Sequence, residues 1–72
     1  MNTYLLPICY PEELPKIITV VSKEFEQAED KFMDIICNRL DVDNNFISWS
    51  DFVSEMCERD CLVGEIYDID QF

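Results

Sequence analysis

One stretch constrains this chain more than any other. Phe25 to Leu40 reads FEQAEDKFMDIICNRL, and Phe25, Ala28, Phe32, Ile35, Ile36 and Leu40 recur at helical spacing. The pattern predicts one helix with a single apolar stripe. On another side of that helix Glu26, Asp30 and Asp34 stand four residues apart. The same segment therefore offers a core-facing side and a charged side.

The preceding residues alternate rather than spiral. In Thr3–Tyr10, Tyr4, Leu6, Ile8 and Tyr10 point one way, and Thr3, Leu5, Pro7 and Cys9 the other. Pro7 lacks a ladder donor, so this strand is expected at a sheet edge or at a bulge. The proline-bounded turn Pro11–Pro15 leads to a second, β-branched strand, Lys16–Val21, and the short connection predicts a hairpin. A run such as Ile17-Ile18-Thr19-Val20-Val21 is a poor helix seed.

Ser22 or Glu24 is expected at the start of the Phe25–Leu40 helix, whose last turn carries Arg39. Asp41-Val42-Asp43-Asn44-Asn45 marks a loop. Ser48 and Asp51 fit a capping box before a second amphipathic helix that carries Trp49, Phe52, Val53 and Met56 and ends near Arg59 or Asp60. Leu62–Ile69 reads as a third strand with Gly64 at a bulge. The predicted order is β-β-α-α-β: a small α+β domain, residues 1–72, with a three-stranded sheet and two helices on one face.

Length allows one domain, because 72 residues bury only a limited core. Hydrophobic residues make up 49% of the chain and there is one Gly, which excludes a disordered chain. The charge is lopsided: 16 acidic residues against five basic ones, net −11. Residues 1–36 carry seven acids and three bases (−4), and residues 37–72 nine acids and two bases (−7), so the charge is spread out. Such a field repels nucleic acid and anionic membranes and attracts basic surfaces.

No apolar run reaches membrane-span length and no basic segment precedes an apolar one. Four cysteines in that setting suggest reduced thiols and a cytoplasmic location. No histidine is present, no Gly-rich loop cradles a phosphate and no nucleophile has a matching base, so no enzyme and no cofactor are expected. The loop Asp41-Val42-Asp43-Asn44-Asn45 starts like a calcium loop but has Phe46 where glycine is needed and Phe52 where a bidentate glutamate is needed. Cys9, Cys37, Cys57 and Cys61 lack the paired spacing of a zinc site and read as small apolar residues.

The carboxylates remain. Glu26, Asp30 and Asp34 form one row; Asp51, Glu55 and Glu58 form another; Glu65, Asp68 and Asp70 form a third group around Tyr67. Repeated negative charge at this spacing has the character of the phosphates along a nucleic-acid strand. Lys23, Lys31 and Arg39 dilute the first row, which makes the second helix and the C-terminal strand the better partner surface. Phe46, Trp49, Tyr67 and Phe72 are aromatics that pattern alone does not assign to a core; an aromatic in an acidic patch can stack on arginine.

By its length, its dispersed acids, such as Glu26, Asp30, Asp34, Asp51, Glu55 and Asp68, and its lack of catalytic motifs, the chain resembles the small acidic inhibitors that phages and mobile elements encode, among them nucleic-acid mimics and anti-CRISPR proteins. That class has no shared fold. The resemblance implies a protein of the host cytoplasm that blocks a basic, nucleic-acid-binding host protein. An antitoxin or immunity protein facing a basic toxin, and a self-assembling subunit or homodimer, are the alternatives.

Overall fold

The computed structural model describes residues 1–71, so Phe72 lies outside the described residues. Two long strands come first, β1 (Asn2–Cys9) and β2 (Lys16–Ser22), joined as an antiparallel hairpin with Asn2 opposite Ser22 and Ile8 opposite Lys16. Helix α1 spans Phe25–Leu40 and helix α2 spans Trp49–Glu58. Two short strands, β3 (Leu62–Val63) and β4 (Tyr67–Asp68), then pair with the free side of β1, and a 3-10 turn closes the segment at Ile69–Gln71. The molecule is the expected small α+β domain, with four strands rather than three in an open antiparallel sheet.

β3 and β4 are two halves of the single expected strand. Ile8 faces Val63 and Cys9 faces Leu62, whereas Leu5 faces Tyr67 and Tyr4 faces Asp68. The pairing slips by one residue between the halves, which is the signature of a bulge. Of the two places expected for Pro7, an edge or a bulge, the edge does not hold: Pro7 lies in the central strand, but opposite the bulge. The Gly64 N–H donates to the Pro7 carbonyl at 2.9 Å. In an antiparallel strand a residue's N and C=O point the same way, so the proline nitrogen looks toward the interrupted stretch. The missing donor falls where the ladder is already broken. Gly64 is required for the same close approach: a Cβ there would lie 3.0 Å from the Pro7 carbonyl oxygen.

Alternation in β1 is as read, with Tyr4, Leu6, Ile8 and Tyr10 all buried. They meet Val20 of β2, then Ala28, Phe32, Met33, Ile36 and Cys37 of α1, Phe52 and Met56 of α2, and Cys61. The α1 stripe is rotated from the predicted one. Met33 and Cys37 are buried, while Ile35 and Phe25 are exposed and Leu40 is half-buried. Phe25 instead rests edge-on against Tyr4, ring centroids 6.0 Å apart. Among the described residues Ser22 is the one buried polar residue, and its hydroxyl donates to the Gln27 side chain at 3.2 Å, which meets the requirement that buried polar groups be paired.

The helix ends show how one glycine suffices. Glu24 caps α1 without a side-chain bond, whereas Ser48 Oγ accepts from the Asp51 N–H at 3.2 Å, as the capping box predicted. At the far ends, Asp41 (φ 57°) and Asp60 (φ 62°) occupy the left-handed conformation that glycine usually fills. Val42 N–H bonds to the Cys37 carbonyl and Cys61 N–H to the Met56 carbonyl, each at 2.9 Å, which closes both helices with six-residue Schellman bonds.

Candidate functional site

Two clefts flank α2 and fix its direction. One is lined by Glu26, Glu29, Asp30 and Met33 of α1 with Ile47, Ser48, Trp49 and Ser50. The other is lined by Asp41, Val42, Asp43, Asn45 and Phe46 with Glu55 and Arg59. Helix α2 thus begins beside the first half of α1 and ends beside its C-terminus, and the 41–48 loop runs back along α1 between them. Asn44 Nδ2 donates to Asp34, tying that loop to the helix. Phe46 meets Phe52 edge-on and Trp49 packs on it at a tilt, centroids 5.3 and 5.2 Å away. These two aromatics therefore belong to the packing under the loop, with Trp49 also forming a wall of the first cleft.

The first cleft is an open trough of about 620 Å³. It suits side chains that reach in from a partner better than it suits an enclosed small molecule. Three carboxylates edge it. Burial, then Glu26 and Asp30, pushes the Glu29 carboxyl above the usual carboxylate range. Glu26 lies in the first turn of α1, where the helix dipole favours an acid. Glu29 and Asp30 lack that excuse, and like charges at helical spacing cost a few tenths of a kcal/mol per pair. Ile47, 95% exposed, stands at the rim beside Trp49.

The ion-paired cations sit elsewhere, while Lys23 lies exposed just before α1. Among the described residues the ion pairs are Lys16–Glu13 at 3.9 Å, Arg39–Glu13, and Arg59–Glu55 at 3.6 Å. Lys16 and Arg39 also lie over the Tyr10 ring, 4.9 and 5.0 Å from its centroid. All three cations cluster at the end of the molecule that holds the β1–β2 turn and the C-termini of both helices. Lys31 turns away from the trough to donate to the Val21 carbonyl on β2.

The ten residues singled out in the sequence separate into distinct places. Glu26 and Asp30 share the trough, joined by Glu29. Asp34 is lower on α1, bonded to Asn44. Asp51 lies exposed in the first turn of α2, Glu55 pairs with Arg59 in the second cleft, and Glu58 is exposed at the end of α2. Glu65 lines a third, more apolar cleft with Trp49, Val53 and Val63. Tyr67 is on the helix-free face of the sheet. Asp68 accepts from Asn2 Nδ2 and from the Asp70 N–H, both at 3.0 Å, and Asp70 accepts from the Thr3 N–H at 2.9 Å. Those two aspartates clamp the C-terminal segment to β1.

Two residues escaped the sequence reading. Glu29 is three positions from Glu26, a helical neighbour that the four-residue row passed over. Glu13 gathers Lys16 and Arg39, a contact across 26 residues that no local pattern announces. Burial pushes the Cys37 and Cys61 thiols up, with Asp34 adding to the first and Cys9 to the second, so neither is poised as a thiolate. Among the described residues no helix is long and apolar enough to cross a membrane. Comparison with protein-family models, curated proteins and solved structures finds no match to this chain.

Proposed function

We propose that this protein is a small acidic inhibitor that binds the basic, nucleic-acid-binding surface of another protein and occludes it. One observation carries the reading: Glu26, Glu29 and Asp30 edge one trough beside Trp49 and Ile47, while the ion-paired cations lie at the opposite end of the molecule. An arginine or lysine entering the trough finds carboxylates for charge-assisted bonds and an indole to stack on. The self-repulsion that the free protein carries is relieved on binding. The surplus of acids elsewhere, including Asp51 and Glu58, steers the encounter.

The partner is thus a basic protein whose natural ligand is polyanionic, and the mode is steric and electrostatic blocking without chemistry. To test this, proteins captured on the immobilised chain are challenged with duplex DNA and with soluble Glu26→Gln/Glu29→Gln/Asp30→Asn triple variant. A basic partner that duplex DNA displaces and the triple variant fails to displace is the expected result. A partner that the triple variant displaces as well as the parent chain overturns the assignment of the trough.

A further inference from the structure

β2 is an edge strand of the sheet, and only one of its sides is paired. The Pro7 carbonyl and the Thr3 N–H point toward β3 and the C-terminal segment. The odd-numbered residues of β1 thus turn their backbone groups that way, and its even-numbered residues bond to β2. Tyr4 faces Val20 and Leu6 faces Ile18, so the even-numbered residues of β2 are the ones bonded inward. The N–H and C=O groups of Ile17, Thr19 and Val21 therefore face the open edge. All three residues are exposed, and among the described residues the one hydrogen bond to this row comes from the Lys31 ammonium, which donates to the Val21 carbonyl. A row of unpaired donors and acceptors on extended backbone is a template for an added strand.

We infer that this edge receives an extended acidic segment of another protein as a further strand. Charge selects that occupant. The chain's three lysines all attend β2: Lys16 opens the strand, Lys23 directly follows it and Lys31 is bonded to its edge. β2 itself carries no acid. Of the acids nearest these lysines in sequence, Asp30 lines the trough, Asp34 is bonded to Asn44, Glu13 is shared by Lys16 and Arg39, and Glu24 stands exposed beside Lys23. At physiological salt the Debye length is about 8 Å, so a strand seated here meets the local lysines more strongly than the net charge of the whole chain. A second copy would bring its own Lys16, Lys23 and Lys31 to the same seam, and like charges on adjacent strands destabilise their pairing. An uncharged strand would displace the Lys31 ammonium from the Val21 carbonyl and give it nothing in return, whereas a carboxylate takes it up in a charge-assisted bond. Lys31 thus discourages one class of strand and admits the other.

The two faces of β2 set the pattern of the segment. Lys16, Ile18 and Val20 belong to the helix side, where Lys16 lies over the Tyr10 ring and Lys31 reaches in from α1. Ile35, one helical turn beyond Lys31, is on the same flank of α1 and is 39% exposed. On the other face Ile17 and Val21 are 63 and 48% exposed. Side chains alternate between the faces of a strand. The segment that fits best therefore carries carboxylates at every second position, toward Lys16 and Lys31, with β-branched side chains between them, beside Ile17 and Val21. This edge shares no residue with the acidic trough and has the opposite preference in charge.

Amide hydrogen exchange of the whole chain tests this with two short capped peptides, one alternating Glu and Val and the other Lys and Val, each at concentrations up to about 1 mM. In the free protein the Ile17, Thr19 and Val21 amides exchange fast. The Glu–Val peptide is expected to slow all three at least about tenfold, and the Lys–Val peptide to leave them fast. Methylating alternate backbone nitrogens of the Glu–Val peptide is expected to abolish this protection in one register and preserve it in the other. Lys31→Glu, at an exposed position, is expected to weaken Glu–Val binding at least about fivefold with an unchanged circular dichroism spectrum. Glu26→Gln/Glu29→Gln/Asp30→Asn, which disables the trough, is expected to bind the Glu–Val peptide at least as tightly as the parent, so this inference and the reading of the trough fail separately. Three amides that stay fast with the Glu–Val peptide overturn the inference, as do equal protection by the Lys–Val peptide and a Lys31→Glu protein of parental affinity. Protection that is present without peptide and deepens with protein concentration assigns the edge to a second copy and overturns it too.

Discussion

Gly64→Ala is the most informative single perturbation of the fold. The added Cβ would lie 3.0 Å from the Pro7 carbonyl oxygen and 3.3 Å from the Pro7 Cβ. Pro7 cannot recoil, because β1 is paired to β2 along its whole length on the other side, with Pro7 itself opposite Ile17. The strain must be taken up by β3, at the expense of the 2.9 Å bond from the Gly64 N–H to the Pro7 carbonyl. Overpacking of this kind costs about 1–3 kcal/mol. Gly64 has no positive φ, so the alanine recovers about 0.4–1 kcal/mol by restricting the unfolded chain. The net expectation is a loss of about 1–2 kcal/mol, which for a domain this small lowers Tm by roughly 5–15 °C. Urea and thermal unfolding read by the fluorescence of Trp49, which packs 5.2 Å from Phe52, measure it. Glu65→Ala, at the neighbouring exposed position, serves as control and is expected within about 0.5 kcal/mol of wild type. A Gly64→Ala protein as stable as the parent would show that β3 is free to shift and that the bulge does not require glycine.

Three further outcomes follow from the same geometry. Asp60→Gly is expected to stabilise the protein by about 1 kcal/mol in urea unfolding, since it relieves a left-handed aspartate and removes a negative charge from the negative end of α2. Glu29→Gln is expected to raise Tm at pH 7. A carboxyl whose folded pKa is raised costs stability while ionised, so the gain should vanish as pH falls through that raised pKa, where wild-type Glu29 takes up its proton. Lys31→Met should leave unfolding nearly unchanged, because the exposed ammonium contributes little, yet increase light scattering on storage by uncapping the β2 edge.

How much of this was readable in the sequence depends on the range of the interaction involved. Local signals were reliable. The β1–β2 hairpin, both helices and the Ser48 cap follow from alternation, helical period and turn chemistry, all within a few residues of one another. For Pro7 the sequence leaves an edge and a bulge both open, because a proline in isolation shows only that a donor is missing. What admits it to the central strand is Gly64, 57 positions away, where the facing strand is already broken. The rotation of the α1 stripe has a similar cause: Met33 and Cys37 are buried because α2 returns along that side, which periodicity within α1 cannot reveal. For the site, Glu26 and Asp30 were legible as a helical pair. Glu29 is their neighbour on the same helix, three positions from Glu26, whereas Trp49 joins them only through the 41–48 loop. The clamping roles of Asp68 and Asp70 depend on contacts with Asn2 and Thr3 at the other end of the chain. The helix-free sheet face was half visible, since alternation already sets Thr3, Leu5, Pro7 and Cys9 on the face opposite Tyr4, Leu6, Ile8 and Tyr10. Its extent needed the register that sets Ile17, Val21, Leu62 and Tyr67 beside them.

The most direct measurement is the salt dependence of binding to the captured basic partner, for wild type and for Glu26→Gln/Glu29→Gln/Asp30→Asn in parallel. Wild-type affinity should fall steadily as ionic strength rises and charge pairs across the interface are screened, and the triple variant should bind more weakly with a visibly shallower slope. A wild-type affinity indifferent to salt, or a triple variant that keeps both the affinity and the slope of the parent, would contradict the proposal that the acidic trough is what this protein presents to its partner.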